Sequence, residues 1–263
     1  MKFTRKIQHG LKNPYKGIKY LFGGREGKKS VLSSYVRNYS EDEERIEKLN
    51  DFLKIDLKQY YNEIFDNDIL SEIEENIINY WNNFRTVGFG ESRILYLLTR
   101  CYKPNIIIDT GVYNGLSSAM FLLGLEKNKK GHLYSIDLPY QKRKDISEKV
   151  KQNRIANFPK GKSVGWLVPE ILRDRWTLQL GDAKILLPQV LKDVKECDIF
   201  FHDSVHSYSH MLWEYNTIWP HLNSLLLSDD VHTNEAFDDF VKKCGCQSLK
   251  ISYRFGLAVT LTN

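Results

Sequence analysis

Acidic side chains recur at the ends of apolar runs in this chain, and glycines follow the first of them. Asp109 closes Ile106-Ile107-Ile108 and leads into a turn carrying Gly111, Tyr113 and Gly115. Glycine lets a backbone pass close to a ligand where a Cβ would collide, and open α/β sheets bind ligands at the carboxyl ends of their strands. Asp137 follows the next apolar run, residues 132–136, where a carboxylate can accept both hydroxyls of a ribose. Gly181-Asp182-Ala183 follows a third run, residues 176–180. A single aspartate in such a place is ordinarily a helix cap. Two in order after a glycine turn point to a nucleoside site. The glycine spacing is not the three-glycine dinucleotide fingerprint, which argues against a nicotinamide dehydrogenase.

Two later strand ends carry a different chemistry. Asp203 follows residues 198–202, and Asp229-Asp230 follow residues 225–228. Neighbouring parallel strands lie about 4.8 Å apart, so acids at their carboxyl ends can converge on one cation. Oxygen ligands without thiolates suit Mg2+, Mn2+ or Ca2+ better than zinc. A cation there would lower the pKa of a bound hydroxyl, and His206, with a side chain that titrates near neutrality, is the candidate base. His202, His210 and His232 lie near the same strand ends and compete for that role, whereas His221, beside Pro220, reads as structural. The competing account has Asp203 capping the next helix and Asp229-Asp230 in a solvated turn.

These positions require a sheet. Short apolar segments at 106–108, 132–136, 176–180, 198–202 and 225–228 alternate with helical patterns at 116–126, 142–156, 183–192, 208–222 and 234–244, which implies parallel strands with helical crossovers. Segments 248–253 and 256–261 are separated only by Arg254-Phe255, too few residues for a crossover, so the sheet ends in an antiparallel hairpin. Upstream, apolar residues at helical spacing (Ile46, Leu49, Leu53, then Ile69, Ile73, Ile77) predict two or three helices between 41 and 85. A further helix, 91–102, stops at Pro104. The expected division is a basic arm and connector over 1–40, a helical extension or lid over 41–104, and an α/β domain over 105–263.

Composition bounds the rest. The 263 residues are 42% hydrophobic and 13% aromatic, ample for a packed core. The four cysteines (Cys101, Cys197, Cys244, Cys246) lack paired metal-ligand spacing and read as the thiols of a reduced, cytoplasmic protein. No apolar run approaches the roughly 20 residues that span a bilayer, and the first residues lack a signal peptide's apolar stretch. The net charge of +5 is uneven: residues 1–29 hold nine Lys/Arg against Glu26, a net of +8, which leaves −3 for the body. With Phe3, Ile7, Leu11 and Tyr15 interleaved, this arm reads as a solvated or packing tail, or as a contact with an anionic membrane on its inner face. Nucleic acid ranks last, since no RNA-binding signature accompanies the charge. The oligomeric state stays open, a homo-oligomer included.

The acid-x-Gly-x-x-x-Gly turn at 109–115 resembles motif I of the class I S-adenosylmethionine-dependent methyltransferases. That resemblance implies a doubly wound, mostly parallel, seven-stranded Rossmann-like sheet with an antiparallel C-terminal hairpin. It implies that Asp109, Gly111, Tyr113, Gly115, Asp137, Asp182 and Ala183 hold the methyl donor, with Asp182 toward the adenine amino group and Asp203 beside the sulfonium. Asp203 with Asp229-Asp230 resembles the magnesium site of catechol O-methyltransferase-type enzymes. The basic residue three after Asp203, here His206, is similar to that of bacterial sugar and macrolide O-methyltransferases and of cephalosporin-biosynthesis-type methyltransferases. The segment from Gly165-Trp-Leu-Val-Pro169 through Arg173-Asp-Arg-Trp176 to Leu178-Gln-Leu-Gly-Asp-Ala183 resembles the same group, and the likeness covers about residues 85–262. The implied activity is metal-assisted O-methylation of a hydroxyl on a sugar or glycoconjugate. The alternatives are metal-independent transfer to nitrogen or a phenol, and a catalytically silent methyltransferase-like domain that binds a partner.

Overall fold

The computed structural model describes residues 39, 41–65, 67–80, 88–139 and 158–260. The basic arm and the helix expected over 142–156 lie outside these residues. The sheet has seven strands: β1 Ile106–Thr110, β2 His132–Asp137, β3 Trp176–Leu180, β4 Cys197–His202, β5 Leu222–Ser228, β6 Gln247–Lys250 and β7 Gly256–Val259. Their order is β3-β2-β1-β4-β5-β7-β6. The first five run parallel. β7 lies antiparallel between β5 and β6. The hairpin strands are shorter than expected because residues 251–255 form a connection of their own. Ile251 and Phe255 are both buried there, with the Ile251 amide donating to the Phe255 carbonyl at 2.8 Å.

Successive strand residues point to opposite faces, and the core divides accordingly. Ile107, Ile199, Phe201, Leu225, Leu227 and Leu257 face one side. Ile108, Phe200, Leu226 and Ala258 face the other. Helices α6 Ala183–Val194, α7 Tyr208–Ile218 and α8 Ala236–Cys244 cover the second face, through residues such as Leu187, Val190, Met211, Tyr215 and Phe240. The first face is covered by α1 Asp42–Leu53, α3 Asp68–Asn79, α4 Phe89–Tyr102 and α5 Leu116–Asn128, with the single turn α2 Lys58–Tyr61 beside them. α5 is buried continuously from Leu116 to Leu125, as expected of a helix apolar all round. The stretch that reads in sequence as a helical extension therefore shares one core with the sheet.

A buried ion pair fastens that extension. Asp42 accepts from Arg93 Nε at 2.5 Å and Nη2 at 3.0 Å, and Tyr61 OH donates to it at 3.0 Å. Burial, then the Asp42 charge, pushes the Tyr61 phenol upward. At the start of α1 the N-cap position is Glu41, without a side-chain cap bond, and the acids Asp42, Glu43 and Glu44 in the first turn complement the helix dipole.

Candidate active site

The carboxyl ends of β1, β2, β4 and β5 continue past the sheet as a ladder of backbone hydrogen bonds. Gly111 N donates to Ile136 O at 2.9 Å, Asp203 N to Thr110 O at 2.8 Å, and Asp229 N to His202 O at 2.9 Å. The loops that hold the sequence candidates are thus fixed against one another. A Cβ on Gly111, whose φ is +92°, would lie 2.0 Å from the Asp203 carbonyl oxygen, so the first turn and the β4 loop meet backbone to backbone. Six non-glycine residues among those described have positive φ. Lys54, Lys103, Lys129 and Lys195 are helix C-caps. The other two, Tyr113 and Asp230, are both site candidates. A left-handed conformation is rare for a bulky residue, and such strain clusters where function holds it in place.

At the ends of β1 and β2, Asp137 accepts the Tyr113 amide at 2.7 Å and the Leu138 amide at 2.7 Å, which joins the β2 end to the glycine turn. The turn is clamped from the far side by residues 163–169. Gly165 N donates to Tyr113 O at 2.8 Å, Leu167 N to Asn114 O at 2.9 Å, and Trp166 Nε1 to Asn114 Oδ1 at 2.7 Å. Phe158 packs on Tyr113 with ring centroids 4.9 Å apart. Asp182 is exposed at the end of β3 and accepts the Lys184 amide at 2.9 Å, so it caps α6 whatever else it binds; Ala183 follows as the first residue of that helix. Asp109 sits differently from Asp137 and Asp182. It is 1% exposed, accepts from Ser118 Oγ at 2.8 Å, and burial pushes its carboxyl up to about 7. It braces β1 against α5 from inside.

At the ends of β4 and β5, His206 lies between two of the predicted acids, with Nε2 3.4 Å from Asp203 Oδ1 and Nδ1 3.2 Å from Asp230 Oδ2. Its rivals have other tasks. His202 is fully buried and contacts Glu214 Oε2 at 2.5 Å. His210 bonds Glu214 Oε1 at 3.0 Å. Glu214, also fully buried, accepts from Thr110 Oγ1 at 2.8 Å and Ser204 Oγ at 2.9 Å. Burial alone would raise the Glu214 carboxyl, but the charge and hydrogen bonds of His202, then His210, hold it well below the usual carboxylate range. His232 packs against Tyr253 with ring centroids 4.3 Å apart and planes tilted by 41°, and reaches Asp230 only at 3.9 Å. His221 Nδ1 meets the Lys195 carbonyl, away from the site.

The structure brings Asp203, Asp229 and Asp230 to one rim, together with a residue that sequence reasoning passed over. Arg254 Nη2 lies 2.8 Å from both Asp229 Oδ2 and Asp230 Oδ1. Asp229 is 1% exposed; burial, with the Asp203 charge adding to it, pushes its carboxyl up to about 7 against the pull of Arg254. Among the described residues, no group of three or more His, Cys, Asp and Glu side chains is arranged to hold a metal ion. With a guanidinium on two of the three carboxylates, this arrangement does not fit the expected magnesium site. Glu214 was also missed. Its spacing from His210, four residues along one helix, was the signal available.

A doubly wound sheet with a glycine turn and acids at successive strand ends is a Rossmann-like architecture, and comparison narrows it. Residues 108–231 match the family model described as "Methyltransferase domain". Solved structures agree in fold. A putative caffeoyl-CoA O-methyltransferase from Staphylococcus aureus superimposes with a TM-score of 0.52 at 16% identity, over 77% of this chain and 98% of the other. CalS11, a calicheamicin methyltransferase, does so with a TM-score of 0.50 at 15% identity, over 88% and 97%. No curated protein sequence gives a significant match. Residues 108–231 thus match a methyltransferase domain, and the solved structures share the Rossmann-like fold of that domain.

Proposed function

We propose that this chain is a class I S-adenosylmethionine-dependent methyltransferase that acts on a hydroxyl of a sugar or glycoconjugate, with His206 as the base. The observation that carries this reading is the imidazole held between Asp203 and Asp230, beside the glycine turn that binds the donor. Gly111, Tyr113 and Gly115 shape the donor cradle, Asp137 takes the ribose hydroxyls, and Asp182 and Ala183 receive the adenine. S-adenosylmethionine supplies a methyl group on a sulfonium. The acceptor O–H bond breaks with its proton passing to His206, and the oxygen pair bonds the methyl carbon. The carbon–sulfur bond breaks with its electrons returning to sulfur, which leaves S-adenosylhomocysteine. Asp203 and Asp230 steady the imidazolium so formed. Nothing in this sequence of events runs through a metal.

Support for a sugar comes from the rim. Tyr253 is 77% exposed and packed against His232 next to Asp230, a flat apolar surface beside polar groups. The arm of residues 1–29, with its net +8, would hold the enzyme near anionic surfaces that carry lipid-linked acceptors. Calorimetric titration with S-adenosylhomocysteine, followed by labelled methyl transfer to a panel of sugars, amines and phenols, tests the proposal. Micromolar binding and transfer to sugar hydroxyls, lost in His206→Ala, are expected. Transfer only to amines or phenols would replace the acceptor class, and absence of donor binding would remove the reading.

A further inference from the structure

We infer that Arg254 is the built-in cation of the acceptor site and stands where a divalent metal was expected, which makes the reaction metal-independent. The inference rests on the proposed methyl transfer and deepens it. A single nitrogen, Nη2, bridges Asp229 Oδ2 and Asp230 Oδ1 at 2.8 Å each, so one guanidinium joins the paired carboxylates that end β5. Guanidinium is planar, permanently charged and weakly hydrated, which suits it to a partly buried ion pair. The ion pair also leaves one buried polar atom unpaired at each end among the described residues, Arg254 Nε and Asp229 Oδ1. A hydroxyl can serve both, accepting from the first and donating to the second.

The placement of Arg254 is fixed by its backbone. Its carbonyl accepts the Val231 amide at 2.9 Å, directly past Asp230, and its amide donates to Ser252 Oγ at 3.3 Å. Ser252 Oγ in turn donates to Glu91 Oε1 at 2.8 Å. Phe255, next in sequence, is fully buried. The turn therefore presents the arginine with both flanks anchored, and a dication would have to displace a charge that the fold holds in place.

The test is binding of Mn2+ to the full chain, read by electron paramagnetic resonance with S-adenosylhomocysteine present. Wild type is expected to take up no Mn2+ at millimolar concentration. Arg254→Ala, with the carboxylates uncovered, is expected to bind it at least roughly tenfold more tightly, since ligand charge sets affinity at such sites. Asp229→Asn added to Arg254→Ala should abolish the gain, and Arg254→Lys should stay without it. Arg254→Gln serves as the second neutral variant if the alanine form does not fold. Wild type that binds Mn2+, with affinity lost in Asp203→Asn, would overturn the inference, because the arginine would then yield to metal. Failure of both neutral variants to gain Mn2+ would overturn it as well. Titration of S-adenosylhomocysteine into each protein separates these outcomes from failure of the methyltransferase reading itself, which would appear as lost donor binding in wild type.

Discussion

His206 is set apart from the three neighbouring histidines by what touches it, and substitution should show the difference. His206→Asn is expected to lower methyl transfer by roughly 10²- to 10⁴-fold, the usual worth of a general base. S-adenosylhomocysteine affinity should stay unchanged by calorimetry, and an equal fall in donor affinity would assign His206 to binding instead. A second expectation concerns Asp109. Its folded carboxyl is raised to about 7 by burial, so the folded chain holds this proton more tightly than the unfolded one. That stabilisation is present at acid pH and is lost as pH rises through about 7. Asp109→Asn cannot ionise, so it should gain on wild type by up to about 4 kcal/mol between about pH 4 and pH 8. Urea unfolding at both ends checks this, and a pH-independent difference would refute it. The sequence named His206 as the candidate base but left His202, His210 and His232 as rivals, because spacing does not show which ring a buried carboxylate takes. Glu214 makes that choice by engaging His202 and His210. Arg254 was invisible for another reason. It lies 24 and 25 positions from its partner acids, in what reads as a two-residue link, and only strand order brings it to them.

At the scale of elements, the ion pair between α1 and α4 makes the strongest claim. Arg93→Ala would leave the buried Asp42 carboxylate with only the Tyr61 hydroxyl and the Arg45 guanidinium at 3.7 Å, and loss of about 3 kcal/mol of stability is expected in chemical denaturation. A change below about 1 kcal/mol would place the pair among surface contacts. Gly111→Ala tests the seam between the β1 turn and the β4 loop. Its Cβ would strike the Asp203 carbonyl at a φ that L side chains rarely adopt, so donor binding should fall before the fold does. Calorimetry against circular dichroism separates the two. Most strands were legible within a few residues, because β-branched and leucine runs bounded by acids leave little choice. β3 was read as residues 176–180, and the structure has Trp176–Leu180. The helix read over 208–222 stops at Ile218 instead. Trp219, Pro220 and His221 tighten into a 3-10 turn, and β5 starts three residues before the run that announced it. Proline inside a helical pattern marks such an ending, and apolar periodicity across it hid the break.

Across the whole molecule, the antiparallel hairpin was read from the short gap between the last two apolar segments. Its insertion, with β7 rather than β6 against β5, was not. Register between non-adjacent strands is a tertiary choice, and here Leu225, Leu226 and Leu227 pair with Val259, Ala258 and Leu257. Among the described residues no helix is long and apolar enough to cross a membrane. The +8 arm lies outside the described residues, and its surface role is a matter for vesicle binding. The β7 insertion also ties together two properties that proteins usually keep apart. A chain ending within residues 251–253 would expose the leucine-rich edge of β5, the kind of open strand that recruits other chains. The same truncation would strip the rim acids of their arginine. Copies that lack the arginine at the rim would therefore also be the ones with an open strand edge, so that an intact rim and a closed sheet are lost together.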